Sequence, residues 1–177
     1  MFPSIKYFGI IYILHLVFIF IIFFIYIIMS PEIWGPPIWT LFHTLVEKLH
    51  EDTYTIIAPQ LFAHIKRIST NLPCPECSQH AASFLSKINF NGVKTKDDFK
   101  KMMFFFHNVV NYRKKKPMYN QILLNKYEKM NVIAVYNNFV SVYHTKGNMK
   151  LLAESFQRKL ILKDFRKWLM NNISNFL

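Results

Sequence analysis

The sequence predicts an all-α protein, and three observations lead there. Apolar residues return every three or four positions in successive segments between residues 38 and 110. Proline, asparagine–glycine or a capping-type cluster closes each segment. The alternation of strand and helix that a thioredoxin-like sheet requires is missing, as are an internal repeat and a glycine-rich phosphate loop. A chain of 177 residues suffices for one globular domain with an appendage.

The appendage comes first. Between Tyr7 and Met29 no residue is charged, and His15 interrupts long runs of Ile, Phe and Leu. A helix of these 23 residues reaches about 34 Å, against about 30 Å for the hydrocarbon core of a bilayer. Met29-Ser30-Pro31 supplies no small-x-small cleavage site, so residues 1–30 read as an uncleaved single-pass transmembrane anchor rather than a signal peptide. Lys6 and the amino terminus precede the apolar run and Glu32 follows it. The positive-inside rule then places the N-terminus in the cytoplasm and the domain on the translocated side.

Pro36-Pro37 suit the first turn of a helix, whose stripe is Ile38, Leu41, Phe42, Leu45 and Leu49. Trp39 and His43, four apart, share its flank. Glu51-Asp52-Thr53 offers N-cap oxygens to a second helix marked by Ile57, Leu61, Ile65 and Ile68, with Pro59 near its start. A third helix begins at the cysteines: His80, Ala81, Phe84, Leu85 and Ile88 fall in helical phase with Cys77. After the Asn91-Gly92 turn, Thr95-Lys96-Asp97-Asp98 resembles a capping box. The fourth helix then carries Phe99, Met102, Met103, Phe106 and Val110, with His107 and Asn111 on one flank, and Lys116-Pro117 closes it. Leu123, Leu124, Tyr127 and Met130 read as helical, whereas residues 132–144 suit helix or strand. Leu152, Phe156, Leu160, Phe165, Trp168 and Leu169 suggest one or two final amphipathic helices.

The chemistry concentrates in Asn71-Leu72-Pro73-Cys74-Pro75-Glu76-Cys77, which holds both cysteines of the chain. Helical phase makes the pair directional: Cys77 joins the buried stripe, and Cys74 sits at the helix entrance nearer solvent. A cysteine at a helix N-terminus is acidified by the open N–H groups and the positive end of the helix dipole. The outer sulfur can then exchange with a substrate while the inner one faces the core. The pair alone leaves open whether it serves a second dithiol, a metal or a flavin. A zinc site would draw on Cys74, Cys77 and His80 with His64 or His107, although the paired histidines of the finger pattern are missing. The net charge of +12 comes from lysines scattered along helix faces plus the run Arg113–Lys116. It reads as a solvated basic surface facing headgroups. A basic protein that recruits nucleic acid through that run is the other alternative, but no aromatic interleaving or binding module supports a nucleic-acid partner.

Three fragments, in order, resemble one family. Trp34–Thr44 with its W-x-x-x-H-T pattern, Cys74-Pro75-Glu76-Cys77, and His107–Pro117 with H-N-x-V-N-x-x-x-x-K-P are similar to the Erv/ALR family of FAD-linked sulfhydryl oxidases. The composition and the single cysteine pair look most like members encoded by large cytoplasmic DNA viruses. The resemblance implies a four-helix bundle plus a short fifth helix over residues 31–125; residues 126–177 lie outside it and read, from their apolar pattern, as a helical C-terminal extension of unknown role. It implies FAD as cofactor, no metal, and a homodimer. Cys74 would meet the substrate thiol and Cys77 would pass electrons to the flavin. Gly35, Trp39, His43, Cys77, His107, Asn108, Asn111, Lys116 and Tyr119 would form the FAD site. Protein dithiols or a thioredoxin-like carrier would be substrates, and molecular oxygen the acceptor, giving hydrogen peroxide. A virion or host endomembrane is the expected location. The chain departs from the family in lacking a second cysteine pair, in having Phe104-Phe105-Phe106 where a tryptophan commonly precedes H-N, and in having Leu49 near a usual tyrosine.

Overall fold

A computed structural model describes residues 11–21, 30–143 and 149–177, the side chains of 149–153 apart. Among the described residues the regular structure is entirely helical. Residues 11–21 are helical (α1) and exposed along their whole length. The rest of the expected anchor, residues 1–10 and 22–29, lies outside the described residues. Among those described, no helix is long and apolar enough to cross a membrane.

Helix α2 (Pro31–Lys48) begins five residues ahead of the predicted Pro36-Pro37 start. The reason is local: Ser30 caps it by accepting from the Glu32 N–H at 3.3 Å, with Pro31 and Glu32 in the first turn. The two inner prolines leave the Glu32 and Ile33 carbonyls without their intrahelical donors. A short 3-10 turn (Glu51–Thr53) leads into α3 (Tyr54–Ser69). Thr53 is the N-cap residue, yet its hydroxyl bonds the His50 carbonyl at 3.4 Å instead of a helix amide. Ile57, Leu61, Ile65 and Ile68 are buried as their spacing predicts.

Helix α4 (Pro75–Leu85) starts at its Cys74 N-cap and stops before Ile88, which still packs on the core. Helix α5 (Lys96–Arg113) opens on the predicted capping box: Thr95 Oγ1 accepts the Asp98 N–H at 3.1 Å, and Asp98 accepts the Thr95 N–H at 3.0 Å. Gln121–Lys129 is a 3-10 helix rather than an α-helix. At three residues per turn, Leu124, Tyr127 and Met130 align on one side, so Leu124 and Tyr127 are buried while Leu123 is exposed.

The ambiguous stretch resolves as helix α6 (Val132–Tyr143), and α7 (Met149–Asn171) is one continuous helix followed by a 3-10 turn (Ile173–Phe176). The buried face of α7 is Ser155, Arg158, Ile161, Leu162, Phe165 and Leu169. The predicted stripe was rotated from this: Phe156 and Leu160 are exposed, because a buried serine and a buried arginine hold positions that an apolar count overlooks.

The core is continuous. α5, α6 and the 121–129 segment pack around α2, while α4 and α7 pack on α3. Residues of α6 and α7 such as Phe139 and Phe165 belong to the same buried cluster as Leu41, Leu61 and Phe99. Arg67–Asp164 at 2.7 Å and the Trp168 indole donating to Gln60 at 2.8 Å tie α7 to α3 along the rim.

Candidate functional site

A cavity of about 330 Å³ opens between α2, α4, α5 and the 119–127 segment. Three kinds of group meet on its wall. Trp34, Trp39, Phe106, His107, Tyr119 and Tyr127 are aromatic; Arg113, Lys114, Lys116 and Lys126 are cationic; Cys77 is the redox-capable group. Among the described residues no carboxylate lines it, although Glu32 and Glu76 pair with Lys116 and Arg113, so the wall is net cationic and favours an anionic ligand.

The predicted flanks of α2 and α5 do converge. Trp39 stacks on His107 with centroids 4.1 Å apart and planes within 6°. His107 in turn stacks on Tyr119 at 4.6 Å. His43 is buried behind this layer, not on the cavity wall, with its Nε2 3.0 Å from His107 Nδ1 and its ring stacked on Tyr127 at 5.0 Å. Burial pushes the His43 imidazole down to about 3, and a second proton there would also face His107 and the Lys126 ammonium. Burial and Lys126 lower His107 to about 4. Both rings are therefore neutral near pH 7, and one shares its N–H with the other.

Asn108 also stands back from the cavity. Its carboxamide accepts the Tyr119 N–H at 2.6 Å and donates to the Tyr119 carbonyl at 3.2 Å, which fixes Tyr119 on the wall. The Tyr119 and Tyr127 hydroxyls meet at 2.9 Å, and burial with this bond holds Tyr127 well above the usual tyrosine range. Lys126 Nζ lies 5.0 Å from the Tyr127 ring centroid and 5.6 Å from that of Tyr119, within cation–π reach. Gly35 and Asn111 line the cavity as expected. A Cβ added to Gly35 would meet no atom within 4 Å, so the backbone there borders open space. Lys116 is on the wall and pairs with Glu32 at 3.2 Å. The Ser30 hydroxyl, and then its own backbone amide and Lys116, hold Glu32 at about 2.

Cys74 and Cys77 form a disulfide. Both are half-buried, but only Cys77 lines the cavity. Cys74 Sγ, at the N-cap of α4, accepts the Cys77 N–H at 3.2 Å. Helical phase places Cys77 on the buried stripe with His80, but Cys77 is no more than half-buried, like Cys74, and His80 is exposed. The first turn of α4 borders the open cavity, and only Ala81 and Leu85 of this helix are buried. Glu76, between them, pairs with Arg113 of α5 and ties the start of α4 to the end of α5. The zinc alternative does not assemble. His64 packs on Phe165 and Trp168, His107 on Trp39 and Tyr119, and among the described residues no three His, Cys, Asp or Glu side chains could share a metal ion.

The sequence reading missed Lys126, Tyr127, Arg113 and His80 as wall residues. The three-residue repeat of Leu124, Tyr127 and Met130 was the available signal for Tyr127. The others come together only through tertiary contacts.

The disulfide and most of the cavity wall lie in the part of the chain that comparison with known proteins singles out. The sequence model of the Erv1/Alr family matches residues 36–132. A protein of Invertebrate iridescent virus 6 named as an FAD-linked sulfhydryl oxidase is 31% identical over 104 residues, which cover 55% of this chain and 94% of that protein. A protein of Invertebrate iridescent virus 3 with the same designation is 31% identical over 91 residues, 50% of this chain and 61% of that protein. A Fowlpox virus protein so named is 29% identical over 83 residues, 47% of this chain and 80% of that protein. No solved structure matches. With the matched span holding Trp39, His43, the Cys74–Cys77 pair, His107 and Lys116, the chain belongs to the Erv1/Alr family.

Proposed function

We propose that this chain is an FAD-linked sulfhydryl oxidase that makes disulfides in protein substrates through Cys74 and Cys77. The observation that carries the reading is the position of Cys77, in a disulfide and on the wall of an aromatic, cationic cavity. That wall fits the cofactor: flat rings suit an isoalloxazine or adenine, and Arg113, Lys114, Lys116 and Lys126 suit a pyrophosphate.

A substrate thiolate attacks Cys74 Sγ, the Cys74–Cys77 bond breaks, and Cys77 leaves as thiolate. The second substrate thiol attacks the substrate sulfur of the mixed disulfide and expels Cys74. The substrate then holds a new disulfide, and the pair carries two electrons and two protons. The open N–H groups at the start of α4 stabilise the Cys74 thiolate, and Cys77 N–H already reaches that sulfur. FAD, when bound, supplies the two-electron acceptor that returns the pair to disulfide and passes the electrons to oxygen, giving hydrogen peroxide. Neutral His43 and His107 keep the aromatic wall uncharged, and Asn108 keeps Tyr119 in place.

Residues 1–30 are the membrane anchor in this reading, which rests on the uncharged stretch from Tyr7 to Met29. The oxidase domain is on the translocated side of a virion or host endomembrane. Its substrates are protein dithiols or a thioredoxin-like carrier. If two copies pair, the contact uses surfaces other than those of α2 and α3 already covered by α6 and α7.

The test is to purify the chain from membranes and add a dithiol. Bound yellow flavin, oxygen uptake and peroxide release are expected, with uptake abolished in Cys77→Ser. A colourless protein, or unchanged uptake in that variant, contradicts the reading. Protease protection of the domain in sealed vesicles is expected, and ready digestion from the cytosolic side would overturn the assigned orientation.

A further inference from the structure

The C-terminal third reaches the redox loop through one buried hydroxyl. Tyr143, the last residue of α6, is fully buried and lies beyond the span matched by the family. Its Oη is 2.9 Å from the Asn71 carbonyl and 3.2 Å from the Ile68 carbonyl, and it donates to both. The Asn71 carbonyl lies just past Thr70, the C-cap of α3, and the Ile68 carbonyl in the last turn also accepts the Asn71 N–H at 3.1 Å. Burial raises the Tyr143 phenol above its ordinary range, so it remains a donor across neutral pH.

The next residue is held from another direction. The Leu72 N–H donates to Ser78 Oγ at 2.8 Å, and the Ser78 hydroxyl reaches the Leu72 carbonyl at 3.3 Å. Pro73 follows, buried and with its φ fixed by the ring. Cys74 comes immediately after, at the N-cap of α4 with its sulfur on the Cys77 N–H. Tyr143 from α6 and Ser78 from α4 thus pin consecutive residues of the short loop that delivers Cys74 to the helix end.

We propose that Tyr143 is a positioning residue for the redox pair: by holding Asn71 it keeps Cys74 at the start of α4, where the open disulfide leaves a stabilised thiolate. The inference rests on the dithiol reading above. Stabilisation by a helix N-terminus fades within the first turn, so a small drift of the loop is enough to lose it. A dithiol pair whose reduced form is stabilised is the stronger oxidant. Loss of the Tyr143 hydroxyl therefore raises the Cys74 pKa and weakens the pair as an oxidant.

The experiment uses the full chain, reduced and alkylated across a pH series, with the reduction potential measured against glutathione. In Tyr143→Phe the alkylation midpoint of Cys74 is expected to move to higher pH. Its rate at neutral pH should fall about three- to tenfold as the thiolate fraction drops. Ser78→Ala, which releases Leu72 without touching α6, should move the titration the same way. Phe176→Leu, at a fully buried ring of the same core that packs on Trp168, should lower the melting temperature and leave the titration in place. The proposal is overturned if Tyr143→Phe leaves the titration in place, whatever Ser78→Ala does, or if Phe176→Leu shifts it as far. A wild-type Cys74 that titrates like a free thiol would instead sink the redox reading itself.

Discussion

Trp39, His43 and His107 form one unit at the cavity, and its electrostatics give a measurable signature. Both histidines titrate far below the usual 6.5 when folded, at about 3 and about 4, chiefly through burial. The unfolded chain therefore binds protons between 6.5 and about 4 that the folded chain refuses. Their contribution to stability is full above that window and is lost as pH falls through it, by at most about 1.4 kcal/mol per histidine per pH unit. Urea midpoints are expected to drop between about pH 7 and about pH 5, with the half-buried His64 adding in the same direction. A flat midpoint over that range would mean the two rings are not buried as a neutral pair. These residues were legible in the sequence because each pair stands four apart on a helix, where phase alone brings side chains together. Lys126 and Tyr143 were not, because their partners at positions 119 and 71 are reached only through tertiary packing.

Among the elements, α5 was the most legible, since its start is encoded locally by Thr95 and Asp98. Thr95→Ala removes that cap and should cost about 1 kcal/mol, read as a lower melting temperature with unchanged flavin binding. No loss would mean that tertiary packing alone sets the start of the helix. α2 was harder to place: two prolines suggested a start that Ser30 and Pro31 supply five residues earlier. The 121–129 segment shows the limit of reading by period: Leu123, Leu124, Tyr127 and Met130 read as helical, but the pattern does not reveal so uncommon a run as nine 3-10 residues. α6 could not be assigned from Val and Tyr content. Its burial against α2 decides it.

At the scale of the molecule, the family match ends at residue 132 but the core does not. Tyr136, Phe139, Tyr143, Ile161, Phe165, Leu169 and Phe176 are buried in the same cluster as the bundle. A chain cut after residue 131 is therefore expected to aggregate or unfold rather than yield a minimal oxidase. A soluble, cooperatively melting fragment would show that α6 and α7 are dispensable. Within the full chain, Leu41→Ala, at a fully buried position of α2, should cost about 2–5 kcal/mol. Flavin binding should add stability by mass action, so stripping the cofactor lowers the melting temperature in proportion to its affinity. The chemistry itself is tested most directly without oxygen, by mixing the flavin-loaded chain with a dithiol and following the flavin absorbance. Wild type should bleach by two electrons per chain, whereas Cys77→Ser should keep its flavin bound and oxidised. Bleaching of Cys77→Ser at the wild-type rate would contradict electron transfer through this pair.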